Sequence, residues 1–581
     1  MMRTASPHLG GPPHRESTFG HHIRPFRVVT HGLIFALATL TALGCARRSA
    51  TPTSTPAGPR TGAERSGYQT TSGHADVVAF LDTLRAQHPF IALGQVGTTH
   101  EGRAIPYAVL SRPLFATAKA ARRSGRPIVY VQANIHAGEV EGKEALQAVL
   151  RDLLQRPAPN VLDSIVLVAV PIYNSDGNER LDSQARSRGA QNGPAMVGTR
   201  PNAQDLDLNR DYIKLDAPET RASLRMFNTW DPHVFVDLHT TNGSYHGYAL
   251  TYAQSLNPAA ELAGLTFGGA FVRDSLGPEL ERRTMRRHQL AIFPYGNFSQ
   301  DDPTQPPRGW LTYDHRPRFG TNYYALRGRI SILSEAYSHD PFERRMRSTY
   351  VFVQELLSLV GERSRAVLAL AEQSDRQLTL RPATLAVPVR ARLTTKPFER
   401  EVLFEPLVRT TDTLPSEIGV RRGFRRSGRF LGVRMPITDR FDPTTTRRAP
   451  WGYAIAASDT SAIARLRFHG VRFGYLARAW TGEVGEQFEV DSTVVAPAPF
   501  QKRREVRLVG RWLAAPATTF GAGTVIVPEG QPLGVSAMYL LEPESDDGLV
   551  NWDIGGRASN ASLRIWRLDR DPQVVLRPDP R

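Results

Sequence analysis

Short apolar runs alternate with amphipathic stretches along the chain as far as about residue 376. The runs are continuous rather than alternating with polar residues, which is typical of strands buried on both faces of a sheet. The stretches between them have apolar residues at helical spacing. The pattern therefore predicts an α/β fold with a mixed, mostly parallel sheet flanked by helices. The predicted strands cover residues 128–133, 165–172, 234–238 and 330–333, and the predicted helices cover residues 75–87, 140–154 and 348–373.

The composition changes after the last of these helices. Beyond Leu378, β-branched residues, Arg, Pro and Gly become frequent, which favours strands and loops. One strand–helix–strand unit is predicted in this part, at residues 453–456, 462–468 and 471–475. We therefore predict a domain over residues 67–376 that is large enough to be a catalytic domain, followed by a β-rich accessory domain over residues 377–581.

The N-terminus has the pattern of an export signal. Arginines precede an apolar run at residues 28–44, which ends at Cys45, the only cysteine. This predicts a signal peptide over residues 1–44 and an exported protein, in the periplasm or at the cell surface. A small residue before the Cys resembles the bacterial lipoprotein processing signal, which implies a lipid on Cys45 and membrane attachment. Ordinary cleavage nearby is the alternative. Residues 45–66 are rich in Pro, Thr, Ser and Gly and predict a tether, with order from about Tyr68.

The net charge of +16 says little about function. Arginines are scattered in short clusters, and neither a continuous basic stripe on a predicted helix nor an aromatic–basic RNA-binding motif is found. Only five of the 72 basic residues are Lys, so a compositional bias toward Arg explains the charge. We therefore expect no nucleic acid among the partners, and the sequence does not indicate an oligomeric state.

A pair of residues that follows the strand at 128–133 has the spacing of metal ligands. His136 and Glu139 lie at the entrance to a helix, where an imidazole and a carboxylate can converge on one ion. The pair could instead cap the helix, with Glu139 near its N-terminal dipole. His239 follows the strand at 234–238 and faces the crevice where such sheets bind ligands. His233 and His246 are rival third ligands without that position. Two imidazoles and one carboxylate suit a catalytic zinc ion.

Several segments resemble the zinc carboxypeptidase family, in that family's order, over about residues 68–376. His136-Ala-Gly-Glu139 resembles the first two zinc ligands, and His239 resembles the third. The other matching segments are Asn174-Ser-Asp-Gly177, which has Ser where the family has Pro, Arg200-Pro-Asn-Ala-Gln-Asp-Leu-Asp207-Leu-Asn209-Arg210, and Ile332-Leu-Ser-Glu335-Ala-Tyr337. The resemblance implies one Zn²⁺ per chain and a peptide substrate with a free C-terminal carboxylate.

The resemblance also implies catalytic roles. Glu335 is expected to be the catalytic carboxylate, which takes a proton from water beside the metal. Asn209 and Arg210 are expected to hold the terminal carboxylate, because a guanidinium fork fits two oxygens. Arg200 would stabilise the oxyanion of the intermediate. Asp207 would hold His136 in one tautomer.

The family's spacing, counted back from Glu335, places its mobile tyrosine at Tyr313 and the base of the specificity pocket at Gly320, flanked by Phe319. No acidic residue falls there, so a preference for C-terminal Lys or Arg is not supported. Arg316 and Arg318 would favour acidic side chains if they pointed into the pocket; scattered surface arginines are the alternative.

Two other classes of protein remain open at this point. One is another zinc hydrolase on the same fold, such as an amidohydrolase or a peptidoglycan peptidase. The other is a non-catalytic surface lipoprotein that binds peptides or glycans, although a complete set of ligands and catalytic residues argues against it. In the accessory domain, an acidic stretch suggests either a Ca²⁺ site or a charged loop; its carboxylates belong to Glu542, Glu544, Asp546 and Asp547.

Overall fold

Eight strands form the central sheet within the residues that the computed structural model describes, which are 58–262, 268–300, 302–380, 385–411, 420, 422–483, 485–556 and 562–579. Their order across the sheet is β1-β2-β4-β3-β5-β8-β6-β7. Neighbours β4/β3, β3/β5, β5/β8 and β6/β7 are parallel, and the other three pairs are antiparallel. The bounds are β1 Ile91–Thr98, β2 Ala104–Leu110, β3 Ile128–Ala133, β4 Val166–Val170, β5 Val234–Thr240, β6 Leu250–Gln254, β7 Ile292–Pro294 and β8 Ile330–Ala336.

The predicted α/β fold is confirmed, and the four predicted strands are the core of the sheet. Every residue of β3, β5 and β8 is buried, which explains their continuous apolar character. Strands β5 and β8 run further than predicted, so that His239 and Glu335 lie inside them rather than beyond them. Polar residues at a buried strand end have no apolar signature, and the sequence pattern therefore placed the ends too early.

Helices cover both faces of this sheet. The α-helices of the described residues are α1 Gly62–Arg65, α2 His74–Gln87, α3 Ala118–Arg123, α4 Glu141–Gln155, α5 Ser175–Glu179, α6 Gln184–Ser187, α7 Pro218–Trp230, α8 Gly268–Phe271, α9 Gly277–His288, α10 Gly320–Ala325, α11 Phe342–Glu362, α12 Ser364–Leu380, α13 Thr460–His469 and α14 Gly534–Leu541. The prediction of a single helix at 348–373 is wrong. Two helices, α11 and α12, cover this range, because Arg363 leaves helical geometry at φ −103° and ψ 22° directly after the last turn of α11.

The C-terminal part is rich in strands, as predicted, and packs on the helices of the first part. A single hydrophobic cluster joins Tyr130 and Phe235 of the central sheet to Leu540 and Trp552. The domain boundary predicted near residue 376 falls within α12, and the division into domains stays a prediction. The strands of the largest C-terminal sheet are, in spatial order, Val506–Ala514, Glu486–Val495, Ser562–Leu568, Gly452–Ile455, Val525–Pro528, Gly474–Leu476 and Leu576–Pro578.

The remaining strands form small sheets. A four-stranded sheet has the order Asn297–Phe298, Trp310–Leu311, Leu431–Thr438 and Phe398–Phe404; the two-stranded sheets pair Ala386–Leu393 with Phe441–Arg448, Leu407–Arg409 with Phe424–Arg426, Trp480–Gly482 with Thr518–Phe520, and Asp182–Ser183 with Met196–Val197.

Glu144 of α4 anchors the start of the described chain. Its carboxylate accepts hydrogen bonds from the backbone N of Ala63 (3.2 Å) and Ser72 (2.6 Å) and from the hydroxyl of Thr71 (2.8 Å). Packed structure therefore begins before Tyr68, the residue at which the sequence pattern predicted it to begin. The pattern missed this segment because hydrogen bonds hold it and no apolar periodicity marks it. The predicted signal peptide, Cys45 and the tether as far as residue 57 lie outside the described residues. None of the described helices combines the length and apolarity needed to cross a bilayer.

Candidate metal and substrate site

The turn between β3 and α4 carries the first two predicted ligands. Asn134 takes a left-handed conformation (φ 66°) directly after β3, which turns the chain sharply and places His136 and Glu139 above the sheet edge. Gly138 has no room for a side chain, since a Cβ there would lie 2.9 Å from Cγ of Arg188. The aliphatic stem of Arg188 thus crosses the turn and brings its guanidinium 3.0 Å from Glu139 Oε1.

Three ligand atoms meet at this edge. His136 Nδ1 lies 3.0 Å from Glu139 Oε1, His239 Nδ1 lies 3.0 Å from Glu139 Oε2, and the two Nδ1 atoms are 3.2 Å apart. Among the described residues, this is the group of three His, Cys or carboxylate side chains whose ligand atoms lie within 4.8 Å of one another. Two imidazole nitrogens and one carboxylate are the donor set that a zinc ion takes in catalytic sites. The residues present therefore fit a zinc ion.

A carboxylate lies behind each imidazole, and that of Asp207 is within hydrogen-bonding distance and geometry of its ring. Asp207 Oδ1 lies 3.1 Å from His136 Nε2, and Asp237 Oδ2 lies 3.1 Å from His239 Nε2. Burial alone would lower the pKa of His239, but Asp237 and Glu139 outweigh it and hold that pKa well above its usual value. Burial would raise the pKa of Glu139, but His136 and Arg188 hold it well below its usual value. Both shifts arise because groups of opposite charge face each other within the buried site.

Glu335 lies beside this group on the neighbouring strand. It is the register partner of His239 in the parallel β5/β8 pair, so the two side chains emerge side by side. Glu335 is 8% exposed, and its Oε2 accepts no hydrogen bond from the described residues. Burial, assisted by the charge of Glu139 and opposed by His239, raises the pKa of Glu335 to about 8. A buried carboxylate with a free oxygen is suited to exchange protons with a group placed next to it.

Arg200 stands at the rim of the site. Its Nε donates to Asp207 Oδ2 at 3.0 Å, and its Nη1 lies 3.7 Å from Glu139 Oε1. The side chain remains 37% exposed, so part of the guanidinium faces the cavity mouth.

Asn209 and Arg210 follow Asp207 in a short 3₁₀ turn, Leu208–Arg210, which the Asp207 side chain caps by accepting from Asn209 N at 2.9 Å. The Arg210 guanidinium stacks on the ring of Phe319 at 3.9 Å. The Asn209 Oδ1 accepts from Gly320 N at 2.9 Å. These contacts join the turn to the loop that carries the predicted pocket base.

The three ligand side chains, Glu335, Arg200, Asn209 and Arg210 line one cavity of about 80 Å³, whereas Asp207, Asp237 and Arg188 are not in its wall. Its other walls include Tyr295, Tyr313, Phe319, Thr321 and Leu333. Tyr313 is therefore in the wall of the site, with its hydroxyl donating to Asn322 Oδ1 at 3.4 Å. Gly320 lies under the wall, where a Cβ would meet the Tyr212 ring at 2.9 Å.

Sequence reasoning missed Asp237 and Arg188, which contact the ligand group, and five residues that line the cavity: Thr240, Asn242, Tyr295, Thr321 and Leu333. Asp237 had a signal, because it lies two residues before His239 on one strand and alternation places both on the same face. Tyr295, which lines the cavity, and Arg188, which pairs with Glu139, had none, since both lie outside every matched segment.

Several rival assignments are settled by position. His233 accepts a hydrogen bond from Ile128 N at 3.0 Å, and His246 packs against Trp310, so neither joins the ligand group. The four acidic residues 542, 544, 546 and 547 pair with different partners, namely Arg567, Arg447, His315 and Arg318. They therefore do not form a shared Ca²⁺ site.

Comparison with known proteins finds similarity to carboxypeptidases. In fold comparison, the metallo-carboxypeptidase from Burkholderia cenocepacia aligns with 50% of this chain and 70% of its own (16% identity, TM-score 0.34), and carboxypeptidase A from Helicoverpa armigera with 52% and 74% (14% identity, TM-score 0.36). In sequence, carboxypeptidase 2 of Trichophyton rubrum is 22% identical over 504 residues, 84% of this chain and 85% of the relative, and that of Trichophyton equinum is 23% identical over 487 residues, 81% of each. Residues 77–262 match the profile of the family described as "Zinc carboxypeptidase". Residues 77–262 therefore carry the sequence signature of the zinc carboxypeptidase family, and the chain is similar over most of its length to proteins named carboxypeptidase.

Proposed function

We propose that this protein is an exported, zinc-dependent carboxypeptidase that hydrolyses the C-terminal bond of peptides with the help of Glu335. One observation carries the proposal: the three ligand side chains, Glu335 and the guanidinium groups of Arg200 and Arg210 line a single cavity. A site for a cation, a proton acceptor and an anion-binding group are thus placed around one small volume. That combination is what removal of a residue with a free carboxylate requires.

Recognition of the chain end is assigned to Arg210 and Asn209. The stack on Phe319 holds the Arg210 guanidinium plane in one orientation, and a planar fork binds two carboxylate oxygens at once. Asn209 is fixed at its Oδ1 by Gly320 N. Peptides without a free terminal carboxylate would leave the Arg210 charge unpaired, and they should be poor substrates.

The catalytic proton is assigned to Glu335. In this proposal a bound cation favours the ionised form of Glu335, and its free Oε2 then accepts a proton from the attacking water and passes it to the nitrogen of the leaving amino acid. His136, Glu139 and His239 would hold the zinc ion, which when bound supplies a Lewis acid that polarises the scissile carbonyl. Arg200, at the rim, is oriented by Asp207 toward the place where negative charge develops on the carbonyl oxygen.

The pocket wall supports a preference for uncharged C-terminal residues. Tyr295, Tyr313, Phe319, Leu333 and Thr321 carry no charge. Arg318 is only 2% exposed and is paired with Asp547, so it is not available to an acidic side chain. We therefore expect C-terminal Phe or Leu to be removed faster than C-terminal Asp or Lys.

The proposed place of action is outside the cytoplasm. It rests on the arginine-rich start and the apolar run before Cys45, with the periplasm or cell surface as the compartment and a lipid on Cys45 as the membrane anchor. Mass spectrometry of the mature N-terminus tests this: a diacylglyceryl-modified Cys45 is expected, and an N-terminus upstream of residue 28 would contradict export.

The function is tested with the zinc-loaded enzyme and its Glu335→Gln variant on a panel of short peptides, with release of single residues followed by mass spectrometry. The variant should bind one zinc ion, because Glu335 is not in the ligand group, while kcat falls by about 10²–10⁴-fold. C-terminally amidated peptides and chelator-treated enzyme are the controls, and both should show no release. Zinc binding without trimming of any peptide would mean another substrate class, with peptidoglycan stems tested next.

A further inference from the structure

We propose that the C-terminal part of the chain completes the substrate pocket, through four residues that position the loops bearing Arg210 and Phe319. These residues are Gln501, Glu505, Asp546 and Asp547, here called the C-terminal clamp. The inference rests on the proposed function, because it concerns the pocket that binds the peptide end. The clamp residues do not line the cavity, so their role is to hold residues that do.

Asp547 holds the loop at residues 314–320 through Arg318. Asp547 Oδ2 accepts from Arg318 N at 2.6 Å, and Oδ1 accepts from Arg318 Nε at 3.1 Å. Glu505 accepts from Arg318 Nη1 at 2.6 Å, and the guanidinium packs over the Trp552 ring at 4.4 Å. Since Asp547 is fully buried and binds both backbone and side chain, the position of Arg318, and of Phe319 next to it, depends on this carboxylate.

Asp546 fixes the same loop at a second point. Its Oδ2 lies 3.0 Å from His315 Nε2 and accepts from Ala391 N at 3.2 Å. The loop is thus held on both sides of Arg316, itself paired with Asp314. As a result, the Phe319 ring is held in one position beneath Arg210, the residue proposed to bind the end of the substrate.

Gln501 reaches the other loop. It lies in the turn between the strands Glu486–Val495 and Val506–Ala514, where Gln501 and Lys502 both have positive φ, 50° and 64°. Its Oε1 accepts from Asp207 N at 2.7 Å. Arg503 in the same turn pairs with Asp216 at 2.6 Å. The turn is therefore fastened at both ends of the segment 207–216.

The two contacts converge on one catalytic unit. Asp207 orients His136 and Arg200 and caps the turn that carries Asn209 and Arg210. Displacement of either loop would move the Arg210 guanidinium relative to the ligand group. A shift of about 1 Å in such a group can lower the rate by about 10²-fold.

The test compares Asp547→Asn with Glu542→Gln in the zinc-loaded enzyme. Glu542 is a matched control, because it is also fully buried in the C-terminal part and also pairs with one arginine, Arg567, and one aromatic donor, Tyr453. Both variants should lose stability, but only Asp547→Asn should raise KM, by about tenfold or more. It should also change the ratio of kcat/KM between peptides ending in Phe and in Ala. A loss of folded protein alone lowers kcat for every peptide equally and leaves KM and this ratio unchanged.

Gln501→Ala tests the other half of the clamp without removing a buried charge, with Lys502→Ala as its neighbour in the same turn. The expected result is a higher KM for Gln501→Ala and wild-type values for Lys502→Ala. If Asp547→Asn or, where that variant does not fold, Gln501→Ala keeps the KM and selectivity of the wild type, the clamp has no positioning role and the inference is wrong. A wild type that releases no C-terminal residue from any peptide would instead overturn the proposed function itself.

Discussion

Single carboxylates outside the ligand group contact the candidate ligands and help to shape the site. Asp207 and Asp237 each stand behind one imidazole, at 3.1 Å from the ring nitrogen that faces away from the ligand group. A carboxylate in that position favours the tautomer with its proton on Nε2, which leaves Nδ1 free to bind a cation. The candidate metal site therefore comprises five side chains, namely the three ligands and the two carboxylates behind them.

Replacement of Asp237 by Asn should weaken zinc binding by about 10–100-fold. The change removes a negative charge near the cation and loosens the orientation of His239, and both effects act in the same direction. Competition with a chromophoric chelator measures the dissociation constant. Glu335→Gln is the comparison, since it removes a nearby carboxylate that is not behind a ligand and should leave the constant nearly unchanged; equal weakening in both variants would contradict the assignment.

The residues found from sequence and those missed differ in how they reach the site. His136, Glu139, His239 and Glu335 follow strands that the apolar pattern predicts, so their convergence can be anticipated from the rule that strand ends share an edge. Asp547 and Gln501 come from segments about 200 residues or more beyond the loops they hold. Contacts of that range follow from the packing of the whole chain and leave no periodicity in the sequence.

At the scale of elements, the β5/β8 pair sets the geometry of the chemistry. Register places Glu335 opposite His239, and backbone hydrogen bonds along both strands maintain it. The helix that follows the first ligands packs closely on this sheet: a Cβ at Gly142 of α4 would lie 2.9 Å from Leu238 Cβ. The apolar pattern predicted these strands and α4 well, whereas the break between α11 and α12 and the short helix α1 depend on local hydrogen bonds that it does not report.

Glu144→Gln should release the segment before α2. The amide offers one acceptor oxygen in place of the two carboxylate oxygens that bind Ala63, Thr71 and Ser72, so at least one buried donor loses its partner, at a cost of about 1–3 kcal/mol. Limited trypsin digestion should then cleave after Arg60 or Arg65 faster than in the wild type. Glu372→Gln, on the exposed face of α12, is the control and should keep the wild-type cleavage rate.

At the scale of the whole molecule, the C-terminal part adds buried charge as well as strands. Asp547, Glu542 and Arg567 of this part, and Arg318 of the first part, which pairs with Asp547, are nearly inaccessible to solvent. Removal of one partner from such a buried pair is strongly destabilising. Glu529 is different, since its Oε1 is buried without a hydrogen-bond partner among the described residues. Burial, and then the charge of Glu542, holds the pKa of Glu529 well above its usual value.

This buried acid should make global stability depend on pH. Between the ordinary glutamate pKa and the raised one, the folded chain keeps the proton on Glu529 while the unfolded chain loses it. The free energy of unfolding therefore falls as pH rises through this window, by at most about 1.4 kcal/mol per pH unit from this group. Glu529→Gln removes the effect, so its stability advantage over the wild type should grow from pH 5 to pH 7 in urea titrations. An advantage that is constant with pH would mean that Glu529 is already ionised in the folded state; exposed Glu483→Gln serves as the control.

Two kinds of structure contribute to the site. One is the pair of residues in register on β5 and β8, and the other is the C-terminal clamp. In the proposed function, hydrolysis depends on residues of paired strands in the centre of the sheet, which are buried throughout. The choice of which terminal residue is removed would depend on loops held by a turn and an acidic stretch near the far end of the chain. Asp546 and Asp547 contact the loop that carries Phe319, whereas Gln501 contacts Asp207 and so also reaches His136. Substitutions at residues 544–547 are therefore expected to change substrate preference first, and substitutions near residue 501 to slow hydrolysis as well.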